Sequence, residues 1–358
     1  MFERFLKNLP VKMQGETVTR KESCRCCGEK KGIRISHIDY WDIKSTDVVK
    51  CIACGTAQLD PMLTDDETAK GCLAYYIEES LRSPVQEQRK NALRNFRRGI
   101  HFAYSLRKSG YIPSDILELG PGSGYFLEGI RFVFPHVKIA VLDVNEEVLN
   151  FNKEQHGYET FQTTPEHPVE VLKERFDLII ARDIIEHVTN IGSVLQNVHA
   201  YLKKGGLFHF ITPNGHEDSW RFYIRYAGKK EVSELLINHV NYFDGKGLDD
   251  QLLRENFKEV RYYTYKLKTT FKGRGRKVRS ELMAPLSQKR SADFYINEKI
   301  SEVRAVNFDK AEILNRWYIK PGRKTFARAI SWYKHAQRIK VNPRINVGHE
   351  IFGVYEKC

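Results

Sequence analysis

The stretch that most constrains this chain is Ile116-Leu-Glu118-Leu-Gly120-Pro-Gly122-Ser-Gly124, an apolar run that ends in a glycine-rich turn and leads into the apolar segment Tyr125 to Phe134. Such a run is a buried strand that turns sharply into a helix. Further apolar segments follow at intervals long enough for crossover helices: Lys138-Ile-Ala-Val-Leu-Asp143, Phe176-Asp-Leu-Ile-Ile-Ala181 and Gly206-Leu-Phe-His-Phe-Ile211. This alternation predicts an α/β fold with a parallel, doubly wound sheet. Lys258 to Tyr265 has the composition of a sixth strand and Glu350 to Glu356 that of a seventh.

A nucleotide-like ligand suits the glycine turn, because glycines let the backbone bend and come close while the following helix offers unpaired N–H groups. The next strand ends at Asp143, about 20 residues on, where a carboxylate can accept both hydroxyls of a ribose. The glycine spacing is G-x-G-x-G, not G-x-G-x-x-G, and Glu118 stands just before it. A carboxylate there favours a cationic amino acid over a pyrophosphate. Glu118, Gly120, Gly122, Gly124 and Asp143 are therefore the expected cofactor-binding residues.

Upstream, Cys24-Arg-Cys26-Cys27-Gly28 and Cys51-Ile-Ala-Cys54-Gly55 are two C-x-x-C-G knuckles. Their spacing predicts a zinc ribbon with Cys24, Cys27, Cys51 and Cys54 as ligands, a closed set that makes the zinc structural. Cys26, Cys72 and Cys358 are left as free thiols. Thr64-Asp-Asp-Glu67 reads as a capping box opening a helical bridge over residues 61–110.

With these motifs in view, the chain resembles the class I S-adenosylmethionine (SAM)-dependent methyltransferases, whose first motif is E/D-x-G-x-G-x-G and whose second strand ends in an acid. The resemblance continues through Arg182-Asp183-Ile-Ile-Glu186-His187-Val, the segment Leu202 to Asn214 and His239-Val-Asn-Tyr-Phe243. These look like the branch of ubiquinone-type O-methyltransferases and sugar methyltransferases. With the zinc module, the layout also resembles nucleotide-sugar C-methyltransferases, although their large second α/β domain has no counterpart here. The resemblance implies a seven-stranded Rossmann-like sheet with SAM as cofactor. His187 is the expected general base, Glu186 the residue that orients it, and Asp183 with Arg182 a contact to the methionine end of the cofactor. Tyr75 and Tyr76 sit where a bridging helix can wall the substrate cleft, and Tyr76 is the third catalytic candidate against core packing as its competing fate. His216, His239 and Tyr242 are candidates by position.

The organisation expected is a zinc ribbon at 20–60, the bridge at 61–110, a SAM-binding core at 111–265, a basic helical insertion covering the substrate at 266–344, and a final core strand at 345–358. Charge supports the insertion as a separate feature: residues 261–358 carry 23 Lys and Arg against 8 Asp and Glu, leaving the rest near −2 of a total of +13. Lys266 to Arg279 alone holds seven basic residues and no acid. Three readings of it stand open: a solvated face, a site for a phosphate-bearing substrate or anionic membrane surface, and an RNA-binding segment. No apolar run is long enough to span a bilayer and the N-terminus lacks a signal-peptide core, so a cytoplasmic protein is expected. The expected function is methyl transfer from SAM to a small or lipid-linked, anionic metabolite such as a nucleotide sugar or surface-polysaccharide intermediate. The alternatives are an RNA methyltransferase and a non-catalytic partner-binding protein.

Overall fold

The computed structural model describes residues 15–82, 85–215, 219, 239–265 and 350–358, with side chains 76–82 and 85–87 excepted. The basic insertion, His216 and the side chain of Tyr76 lie outside the described residues. Its core is the expected doubly wound sheet, built from β5 (Asp115–Leu119), β6 (Lys138–Asp143), β7 (Glu159–Gln162), β8 (Phe176–Arg182), β9 (Leu202–Pro213), β11 (Phe257–Tyr265) and β12 (Glu350–Lys357). The seven strands lie in the order β11-β12-β9-β8-β5-β6-β7.

Strands β5 to β9 run parallel, whereas β12 slots antiparallel between β9 and β11. From β5 the chain winds outward through β6 to β7, then returns to β8 on the other side of β5. The switch point therefore lies between β5 and β8, and ligands of open α/β sheets bind outside the strand C-termini at such a point. The central strands DILEL and FDLIIAR are almost wholly buried, as parallel strands covered on both faces must be. On one face α2 (Val85–Lys108) and α3 (Tyr125–Val133) meet through Gly99 and Gly129, where an added Cβ would lie 2.0 and 2.1 Å from facing backbone oxygens. On the other, α5 (Ile191–Tyr201) and α6 (Gly245–Arg254) pack with the cysteines of the N-terminal module.

That module is a second, antiparallel sheet of β1 (Glu16–Thr19), β2 (Lys31–Tyr40), β3 (Lys44–Cys51) and β4 (Ala57–Asp60). A fifth strand, β10 (Asn241–Tyr242), joins it from far along the chain and pairs with β4. The segment His239 to Phe243 thus belongs partly to the cysteine module's sheet, a pairing the sequence did not suggest. The bridge is two helices, α1 (Asp65–Arg82) and α2. At the start of α1 the capping box is reciprocal: Glu67 N–H donates to Thr64 Oγ1 at 3.2 Å and Thr64 N–H to Glu67 Oε2 at 2.8 Å. Completing the core sheet, α4 (Glu146–His156) crosses from β6 to β7.

Candidate active site and cysteine centre

A cavity of about 550 Å³ opens at the switch point. Its floor is Gly120 and Gly122 after β5, Asp143 at the end of β6, and Asp183, Ile184, Glu186 and His187 after β8. Helix α1 roofs it with Asp65, Thr68, Ala69, Cys72, Leu73 and Tyr75, the wall anticipated for the bridging helix. His239 closes one side.

The three glycines of the turn serve different ends. Gly122 has φ 53° and a Cβ there would meet nothing within 4 Å, so its backbone face is open to a ligand. At Gly120 a Cβ would lie 1.9 Å from Ile184 Cδ1, and at Gly124 2.2 Å from Asn152 Oδ1. Gly124 is absent from the cavity wall and permits α3 to sit against α4. Glu118 also stands behind the wall: it is fully buried, Arg182 Nε donates to its Oε1 at 2.9 Å, and its Oε2 has no partner among the described residues. Burial pushes the Glu118 carboxyl up against the pull of Arg182. Arg182, whose guanidinium also lies 3.7 Å over the Phe126 ring, is thus spent on Glu118 and Phe126.

Asp143 lies at the open end of β6, with Oδ1 accepting from Asn145 N–H at 2.9 Å. Burial pushes its carboxyl up to about 6. Asp183 adopts φ 56°, left-handed backbone that is uncommon outside glycine and is found where a site imposes it.

On the far side, Glu186, His187 and His239 bring ligand atoms within 4.8 Å of one another, a donor set able to take a proton or a cation. The two imidazole centroids are 4.9 Å apart. Glu186 is 1% exposed; its Oε2 accepts from Thr212 Oγ1 at 2.9 Å, and its Oε1 has no partner among the described residues. Burial raises its carboxyl to about 8. Tyr242 points elsewhere, its hydroxyl donating to His239 O at 2.9 Å within the module's sheet. Sequence reasoning missed the rim formed by Thr189, whose N–H donates to Glu166 Oε1 at 2.7 Å and whose hydroxyl donates to Asp65 on α1. Three polar residues from three separated segments leave no spacing signal.

The cysteine knuckles meet face to face. Cys24 and Cys54 sulfurs are 3.6 Å apart and Cys27 and Cys51 sulfurs 3.5 Å, with all four within 4.8 Å. A tetrahedral zinc with sulfurs at about 2.3 Å has edges of about 3.8 Å, so this set fits the ion. Gly28 at φ 80° and Gly55 at φ 77° close the two knuckles, their N–H groups donating to Cys24 O and Cys51 O. Hydrogen bonds from its three neighbouring thiols hold Cys24 far below the ordinary thiol range, while the bond to Cys24 pushes Cys51 up to about 11. Cys26 is buried beside them, its thiol hydrogen-bonded to Cys24 and thereby raised.

Residues 81–262 match the family model described as a methyltransferase domain, just over half of the chain. The chain belongs to this methyltransferase family. Among curated relatives, it is 29% identical over 118 residues to a malonyl-[acyl-carrier protein] O-methyltransferase of Bacillus cereus, covering 32% of this chain and 43% of that protein. It is 26% identical over 120 residues to a ubiquinone biosynthesis O-methyltransferase of Proteus mirabilis, covering 32% and 48%. The match therefore spans less than half the length of either relative. A solved SAM-dependent methyltransferase from Archaeoglobus fulgidus aligns with 15% identity and a TM-score of 0.36 over 72% of this chain and 93% of that one. Among the described residues, no helix is long and apolar enough to cross a membrane.

Proposed function

We propose that the chain binds SAM along Gly120, Gly122 and Asp143 and transfers its methyl group to a small or lipid-linked metabolite. The observation that carries this reading is the single cavity joining the open glycine turn and the Asp143 carboxylate to Glu186, His187 and His239. When bound, SAM supplies a methyl carbon on a sulfonium, open to in-line displacement. The protein's part is to align the acceptor and exclude water, which α1 does by roofing the cavity. Asp143 accepts the ribose hydroxyls. Glu118, ion-paired to Arg182, anchors the end of β5 from which the glycine turn leaves. Asp183 faces the cationic end of the cofactor from β8.

His187 takes the acceptor's proton at an imidazole nitrogen, with Glu186 and His239 shaping its surroundings. Tyr76, a residue of α1, is the third catalytic candidate. Five carboxylates and no Lys or Arg line the described cavity, so the reacting group of the acceptor enters neutral or cationic. An anionic portion, such as the phosphate of a nucleotide sugar or of a polysaccharide intermediate, lies outside this lining. Cys24, Cys27, Cys51 and Cys54 hold one structural zinc.

The experiment is to incubate the protein with methyl-labelled SAM and fractionated cell extract. Label in a small-molecule or lipid fraction supports the reading. Label confined to RNA moves the chain to the RNA methyltransferase alternative, and no label in any fraction argues for a non-catalytic member.

A further inference from the structure

Two buried amides join the cysteine module to the segment that carries His187. Gln58 on β4 is 0% exposed and Asn241 on β10 is 2% exposed. Gln58 Nε2 donates to Asn241 Oδ1 at 2.7 Å. At its other end Gln58 Oε1 accepts the backbone N–H of Arg25 at 3.0 Å, the residue directly after Cys24 in the first knuckle. Asn241 Nδ2 in turn donates to Val188 O at 2.6 Å and reaches Ile185 O at 3.5 Å. Each amide meets only complementary groups, which fixes the orientation of both.

The backbone tightens the same clamp. Val240 N–H and Asn241 N–H both donate to Glu186 O, at 2.9 and 3.0 Å, and Leu59 N–H donates to Val240 O at 3.2 Å. Residues 185–188 are thus fastened to residues 240–241, which are themselves tied to a strand of the module's sheet. His187 projects from one of these segments and His239 precedes the other, and their rings meet across the cavity wall. A displacement of either segment moves one ring relative to the other, and small misplacements of reacting groups cost large factors in rate.

We propose that Gln58 and Asn241 are positioning residues through which the first cysteine knuckle sets the geometry of His187 and His239. The cysteine module is then a working part of the active site and not only a stabilising cap. The importance of this geometry rests on the methyltransferase reading of the cavity. The test below reads ring environment rather than transfer, so its failure is separate from failure of that reading.

The experiment uses the full chain with ¹³C-labelled histidine, the His187 and His239 ring signals being assigned from His187→Gln and His239→Gln. Gln58→Met keeps the side-chain length and removes both amide bonds. Ser36→Ala, at a buried position of β2 in the same sheet, is the control for general disturbance of the module. The expected result is that Gln58→Met shifts both ring signals and changes their reactivity toward diethyl pyrocarbonate severalfold. Ser36→Ala leaves them in place, and affinity for S-adenosylhomocysteine stays within about twofold in both variants because the cofactor residues lie on other elements. If Gln58→Met does not fold, Asn241→Asp decides, since it keeps the acceptor for Gln58 and sets an oxygen against Val188 O. Ring signals and reactivity equal to the parent in the folded variant would overturn the proposal, as would an equal shift in Ser36→Ala.

Discussion

Arg182 and Glu118 face each other across the switch point of the sheet, the guanidinium Nε 2.9 Å from the carboxylate Oε1. They come from adjacent parallel strands, and the arginine's guanidinium lies over the Phe126 ring while the glutamate has no exposure at all. A carboxyl placed there without its partner would be taken out of water at a cost of several kcal/mol. The pair therefore explains how an acidic residue can stand immediately behind the glycine turn.

Removing the arginine should be costly and pH-dependent. In Arg182→Met, the Glu118 carboxyl, already raised by burial, rises further. A carboxyl raised in the fold above its unfolded value costs stability as pH climbs from the unfolded value through the folded one. The deficit relative to the parent should be about 3 kcal/mol at neutral pH and shrink as pH falls into the ordinary carboxylate range. Urea titrations at several pH values measure it, and a deficit independent of pH would contradict the role given to Glu118.

The cysteine centre predicts one tightly held zinc per chain. Because metal binding is coupled to folding in such modules, Cys51→Ser should lower metal content and open residues near the N-terminus to protease. Metal analysis of protein purified without chelator, with limited proteolysis beside it, reads both effects; protein free of zinc and equally resistant would contradict the assignment.

Motifs with local spacing were legible in the sequence, and those made by distant residues were not. The C-x-x-C-G knuckles and the glycine turn declare themselves because each is a short backbone turn whose residue requirements sit side by side. The apolar strands stood out because burial on both faces leaves near-continuous hydrophobic runs. Strand β7 escaped notice because its four residues, Glu-Thr-Phe-Gln, lie at the sheet edge and only partly buried. The pairing of Asn241 with Gln58 spans 183 residues, and two residues of strand carry no periodicity. The neighbours of two expected cofactor residues, Asn152 beside Gly124 and Arg182 beside Glu118, come from distant segments and left no local signal either.

The last strand should be indispensable. Strand β12 pairs on both sides, and a Cβ at Gly353 would lie 2.3 Å from the buried Phe210 ring. Gly353→Val should therefore cost at least about 1 to 3 kcal/mol by overpacking. A thermal midpoint equal to the parent's would contradict the close approach of Gly353 to the Phe210 ring.

His187→Ala should lose turnover far more than cofactor affinity, as the role proposed for the imidazole on the acceptor side requires. With the acceptor fraction from labelled extract as substrate, the loss should be of order 10² to 10⁴. Undiminished label incorporation would return His187 to a structural role.

The most direct test of the central claim is calorimetric titration of the full chain with SAM, parent beside Asp143→Ala, across pH 5 to 8. One site per chain is predicted, with affinity lower by about tenfold or more in the variant. Since burial raises Asp143 to about 6 and the ribose hydroxyls require the ionised carboxylate, parent affinity should hold above that value and weaken as pH falls below it. The variant should lack that dependence. No binding by the parent, or equal affinity in both proteins at every pH, would contradict the account.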